Sequence, residues 1–118
     1  MVEIRKHTID AAGKTVGRVA SQAAKMLMGK SSPSYTRNIQ SAVEVSITNA
    51  GKLRITERKR LGKIYSTYSG HPGGMKRESL SSLLARKGPE EVLRRAITRM
   101  LPRNATRVVR LKRLQVTR

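Results

Sequence analysis

Apolar residues return along this chain with two periods. Val16, Val19, Ala20, Ala23 and Leu27 recur at three- and four-residue intervals, with Arg18, Ser21, Gln22 and Lys25 largely off that stripe. Such spacing marks one buried face of a helix, and it predicts a helix from Val16 that stops at Gly29. Val92, Leu93, Ala96, Ile97, Met100 and Leu101 predict a second helix over 90–101, with Pro89 at its first position and Pro102 ending it. Leu80, Leu83 and Leu84 mark a shorter helix that stops at Gly88. The other period is two. Val43, Val45 and Ile47 alternate with Glu44, Ser46 and Thr48, the pattern of a strand. Weaker alternation predicts strands over 2–10 and 64–68 and a short piece over 53–56, and residues 57–63 read as a charged turn. The opening order of strand, glycine turn and helix suggests an α/β unit.

Between the strand at 64–68 and the helix at Leu80 lies Gly70-His71-Pro72-Gly73-Gly74-Met75-Lys76. Three glycines in five positions allow backbone angles closed to other residues and let another backbone approach. The same loop can carry an active site at His71, or be an ordinary turn.

Charge then changes the picture. The chain has 118 residues, enough for one domain, with 26 Lys and Arg against 7 Asp and Glu, a net charge of +19. Self-repulsion at that density destabilises a compact monomer and attracts polyanions. Nucleic acid is the expected partner. The core is built of Val, Ile, Leu, Met and Ala, because Phe, Trp and Cys are absent. Lack of cysteine excludes disulfides, thiolate metal sites and cysteine nucleophiles. No apolar run approaches the roughly 20 residues of a membrane span, and the N-terminus has no signal-peptide apolar region. The chain is expected to stay where it is made, or to have lost a presequence.

The candidate chemistry is sparse. Gly13-Lys14-Thr15 stands between a strand and a helix, where a phosphate-binding loop belongs, but the first glycine of that motif is replaced by Thr8. Gly29-Lys30-Ser31 fails in the same way, with Ala24 in the glycine position. His7 and His71 lack metal-ligand spacing and a nucleophile–base constellation. Three tyrosines without Phe or Trp suit poorly a sheet that stacks single-stranded bases. Basic residues recur instead in most loops, and residues 103–118 carry six Arg or Lys and no acid. That dispersal suits a protein clasped on several sides by RNA backbone. Val108, Val109, Leu111 and Leu114 predict that this basic segment docks on the body.

Several stretches resemble one known family, the universal large-subunit ribosomal protein thirteen in its bacterial form. They are Ile9-Asp10-Ala11 with Gly13-Lys14 and Gly17-Arg18-Val19-Ala20; Leu27-Met28-Gly29-Lys30 with Tyr35-Thr36; Asn49-Ala50; Lys63-Ile64-Tyr65; the glycine loop; and Pro89-Glu90-Glu91-Val92 leading to Met100-Leu101-Pro102. The chain departs from the family pattern at Ala42-Val43, Thr56-Glu57, Arg99 and Arg107-Val108. The resemblance implies a three-layer α/β/α fold around a mainly parallel four-stranded sheet. It also implies a structural constituent of the large ribosomal subunit in the cytoplasm or an organelle. Such a protein is a monomer that binds large-subunit rRNA beside neighbouring ribosomal proteins and supports early assembly. It has no catalysis, cofactor, metal, membrane or small-molecule substrate.

The expected phosphate contacts are Lys14, Arg18, Lys30, Arg37, Lys59, Arg60, Lys63, Lys76, Arg103, Arg107, Arg110, Lys112 and Arg113. Tyr68 and His71 are expected nearer the nucleotides, with Gly73 and Gly74 admitting the backbone. Two alternatives stand beside this reading: a basic RNA-binding protein outside the ribosome, and nucleotide hydrolysis at Gly13-Lys14-Thr15.

Overall fold

The computed structural model describes residues 5–29 and 43–118. Expectations for Lys30, Arg37 and the loop around them lie outside these residues. In chain order the elements are β1 (Arg5–Asp10), α1 (Val16–Met28), β2 (Val43–Thr48), a 3-10 turn (Ala50–Lys52) and α2 (Glu57–Gly62). There follow β3 (Ile64–Tyr68), β4 (Met75–Ser79), α3 (Leu80–Lys87), α4 (Pro89–Met100), α5 (Thr106–Lys112) and β5 (Leu114–Val116).

The main sheet is parallel, in the order β1-β2-β5, with Ile9 opposite Ile47 and Val45 opposite Leu114. β2 sorts its residues by face, while β1 brings Arg5 and His7 to the same side as Ile9. Val43, Val45, Ile47, Ile9 and Leu114 are buried on one side, beneath α1. The other side carries Lys6, Thr8, Asp10, Glu44, Ser46, Thr48 and Gln115, all polar. Alanines Ala20, Ala23 and Ala24 on α1 are buried, and α1 packs along α4 more extensively than any other helix pair. Small side chains let the two axes come close. α4 supplies Val92, Leu93 and Ile97 to the same core, and α3 adds Leu80 and Leu83.

Three sequence expectations need correction. Among the described residues the parallel sheet has three strands, not four. The strand at 64–68 forms, but it pairs antiparallel with Met75–Ser79 in a separate two-stranded sheet. A six-residue glycine loop brings those two segments together locally, at less entropic cost than a long return to the main sheet. The piece at 53–56 makes only an isolated bridge from Arg54 to Thr15. Finally, residues 57–62 are helical rather than a turn. The Thr56 hydroxyl accepts from the Lys59 amide at 3.3 Å, and Glu57 sits in the first turn. Both features favour helix initiation.

The basic C-terminal segment is part of the fold. Helix α5 leads into β5, which hydrogen-bonds to β2 as the third strand, and the Thr117 amide donates to the Ile47 carbonyl at 2.9 Å. Arg118 then reaches Glu90 at the start of α4, Nε to Oε1 2.6 Å. One turn further into α4, Arg95 pairs with Glu91 at 3.3 Å.

Candidate nucleic-acid interface

The acids of this chain are largely occupied by its own groups. Glu57 pairs with Arg60, Glu78 with Arg86, Glu90 with Arg118 and Glu91 with Arg95. Asp10 accepts from the Asn49 side-chain amide at 2.9 Å and from the Ala12 backbone at 3.0 Å, and these hydrogen bonds hold its carboxyl below the usual aspartate range. The Arg86 guanidinium hydrogen-bonds Glu78 through two nitrogens, at 2.9 and 2.7 Å, and lowers that carboxyl in the same way. With the acids committed, most of the positive charge faces outward.

The exposed cations fall into three districts. At the carboxyl end of the parallel strands lies the turn between β1 and α1, with Lys14 and Arg18 both exposed. At the opposite end of the sheet the approach to β5 carries exposed Lys112 and half-buried Arg113, while exposed Arg103 and half-buried Arg107 precede them in the segment after α4. The third district is the region of α2 and the β3–β4 hairpin, with Lys59, Lys63 and Lys76 exposed and Arg60 half-buried beside Glu57. The expected contacts therefore do not converge on one pocket. They surround the body.

Arg110 differs from the expectation. Its side chain is only 1% exposed, so it belongs to the interior packing and offers no surface to a phosphate. Position in a basic run did not reveal this. Within α5 it is Arg110 that is buried, while Val108 and Val109, expected to dock the segment, are exposed.

The turn at Gly13-Lys14-Thr15 is stitched to the body by its own amides. Gly13 donates to the Lys52 carbonyl at 3.0 Å and Lys14 to the Ala11 carbonyl at 3.1 Å. A phosphate-binding loop leaves such amides open to wrap the anion. This turn has spent them, which removes the basis for nucleotide hydrolysis there.

The glycine loop is the tip of the hairpin. The Gly74 amide donates to the His71 carbonyl at 2.9 Å, and Ser69 closes the loop to Gly74 at 3.4 Å. Tyr68 and Met75 are cross-strand partners at its base, and both are largely exposed, Tyr68 at 64%. Ile64 stands on the same face and Leu61 on the neighbouring helix is 71% exposed. That face carries Ile64, Tyr68 and Met75 with the Ser66–Arg77 pair between them, and it is presented away from the core.

On the opposite face of the hairpin, Tyr65 is buried, with 7% of its surface exposed. Three cations surround its ring: Arg95 at 5.2 Å, Arg99 at 5.5 Å and Lys63 at 5.6 Å from the centroid. Burial raises the phenol above its ordinary range, against the pull of Arg99 and Arg95. Sequence reasoning missed Arg95 and Arg99 as site residues. Their i,i+4 spacing on α4, which places both on one side of the helix, was the available signal.

Leu53, Ile55, Leu84, Ala85 and Pro89 line an open cleft of about 420 Å³, with Arg60 and Arg118 at its margin. Among the described residues no cluster of three His, Asp or Glu is placed to hold a metal. None of their helices is long and apolar enough to cross a membrane.

Comparison with known proteins adds to this geometry. The sequence model for "Ribosomal protein L13" matches residues 4–118. Large ribosomal subunit protein uL13 of Thermus thermophilus is 44% identical over 115 residues, covering 98% of this chain and 81% of the relative. The uL13 proteins of Aquifex aeolicus and Rubrobacter xylanophilus are 44% and 39% identical, over 99% and 98% of this chain and 81% and 80% of theirs. By its motifs in order and by near full-length similarity, the chain belongs to the ribosomal protein L13 family, in its bacterial type.

Proposed function

We propose that this chain is a structural, non-enzymatic constituent of the large ribosomal subunit, working in the cytoplasm, and that it binds large-subunit rRNA through phosphate contacts. The observation that carries the RNA-binding part is the distribution of charge: four acids are held in ion pairs while exposed cations occupy three separate districts. Electrostatic contacts of that kind give affinity without sequence choice and are spread wherever backbone passes. Lys14 and Arg18 serve one rRNA segment. Arg103, Arg107, Lys112 and Arg113 serve another, at the far end of the sheet. Lys59, Arg60, Lys63 and Lys76 serve a third, where Tyr68 and His71 lie against nucleotides and Gly73 and Gly74 admit the backbone. Lys30 and Arg37 extend these contacts along the chain. The segment at 103–118 thus holds the body through buried Arg110 and Leu114 and turns Arg103, Arg107, Lys112 and Arg113 toward RNA. Neighbouring ribosomal proteins complete the setting, and the contacts form early in subunit assembly.

Binding of the whole chain to a transcript of large-subunit rRNA, measured across a salt series, tests this reading. A steep fall of affinity with salt is expected, because several phosphates are neutralised together. A shallow dependence contradicts it.

A further inference from the structure

We propose that Lys63, Arg95 and Arg99, spaced around the Tyr65 ring where the hairpin meets α4, form a phosphate-binding site for RNA backbone. The proposal rests on the rRNA-binding reading above and places a contact on two residues outside the expected set. Three cations lie within 5.6 Å of one ring centroid. Arg95 and Arg99 are separated by one helical turn, where like charges repel. Glu91 compensates one of the three, through Arg95. Glu78 stands cross-strand from Tyr65, but its carboxylate is held in a two-nitrogen hydrogen bond with Arg86. The ring's negative face offsets part of the repulsion and keeps the cations apart. Two positive charges remain uncompensated around a buried aromatic floor, with Lys63 and Arg99 exposed at the rim. A phosphate, with several acceptor oxygens, matches this arrangement. A lone carboxylate brings one charge and fewer acceptors. Arginine is also suited to planar, forked contact with phosphate.

The test uses the full chain and a transcript of large-subunit rRNA. Arg99→Gln and Lys63→Gln remove exposed charges and are compared with Lys25→Gln, which removes the same formal charge from an exposed position on α1 outside the three districts. Each of the first two is expected to weaken binding about tenfold and to reduce the salt slope by about 1. Lys25→Gln is expected to leave the slope unchanged. Equal slopes for Arg99→Gln, Lys63→Gln and the unsubstituted chain overturn the site and remove Lys63 from the third district, while rRNA binding through the other contacts stands. Failure of the unsubstituted chain to bind overturns the broader reading and the site with it. Chemical acetylation of the unsubstituted protein gives an independent readout. Lys63 is expected to be protected by bound RNA. Protection that appears only in complete subunits, and not with RNA alone, overturns the phosphate assignment in favour of a protein partner.

Discussion

Gly74 and Arg110 show how far one side chain decides what this protein can do. A Cβ at Gly74 meets the Ser69 hydroxyl and stands 3.0 Å from the His71 carbonyl, which the loop's own hydrogen bond fixes in place. Gly73 has open space around it but a φ of +76°. Alanine at Gly73 therefore costs about 1 kcal/mol in backbone strain, while alanine at Gly74 must also displace the turn. We expect Gly74→Ala to loosen the hairpin more than Gly73→Ala, read by hydrogen exchange at the Ser69 amide. Equal exchange in the two variants counts against the steric account. Arg110 separates stability from binding. Arg110→Gln truncates a buried side chain and is expected to lower the melting temperature with the salt slope of RNA binding unchanged. Lys112→Gln is expected to do the reverse, lowering the slope by about 1 with little change in melting. A slope that falls with Arg110→Gln and holds with Lys112→Gln contradicts the assignment of the two residues.

At the scale of elements, what was legible in the sequence was what periodicity writes. α1, β2, α3 and α4 appear where three- to four-residue and two-residue spacing placed them. Their apolar faces are long enough for the pattern to dominate. α2 was obscured because its one large apolar residue, Leu61, faces solvent, and its stability comes from the Thr56 cap. Thr56→Ala is expected to cost about 1 kcal/mol, seen as a lower melting temperature. No change would mean that packing against α3 holds α2 without its cap. β4 was invisible for a related reason. Met75-Lys76-Arg77-Glu78-Ser79 has no apolar alternation, and its strand form is imposed by pairing with β3 across the glycine loop. The site was legible only as a surplus of cations. Which of them are buried, and which meet at Tyr65, depends on helical phase and on contacts between elements distant in sequence.

The whole molecule is a slab of 47 × 37 × 18 Å, with a radius of gyration of 15.5 Å. A compact chain of this length is expected near 13–14 Å. A thin, extended body leaves much of its charge at the surface, where it repels itself in isolation and is neutralised by a polyanion. The few acids moderate that repulsion, and their titration follows. Asp10 is lowered by Asn49 and Ala12, and Glu78 by Arg86. Burial pushes the Glu90 carboxyl up, but hydrogen bonds from Arg118 and from its own backbone outweigh it. Groups with lowered folded values contribute stability above their ordinary values, 3.8 for aspartate and 4.5 for glutamate, and lose it as pH falls through the folded ones. The melting temperature should therefore hold from neutral pH down to about 4.5 and drop below that. A fall beginning near pH 6 would contradict this account of the carboxylates.

The central claim is that this chain resides in the large ribosomal subunit as part of its structure. Sucrose-gradient fractionation of cell extract after a high-salt wash tests it most directly. The protein is expected to sediment with large subunits and intact ribosomes. A predominantly free pool at physiological salt would contradict the account.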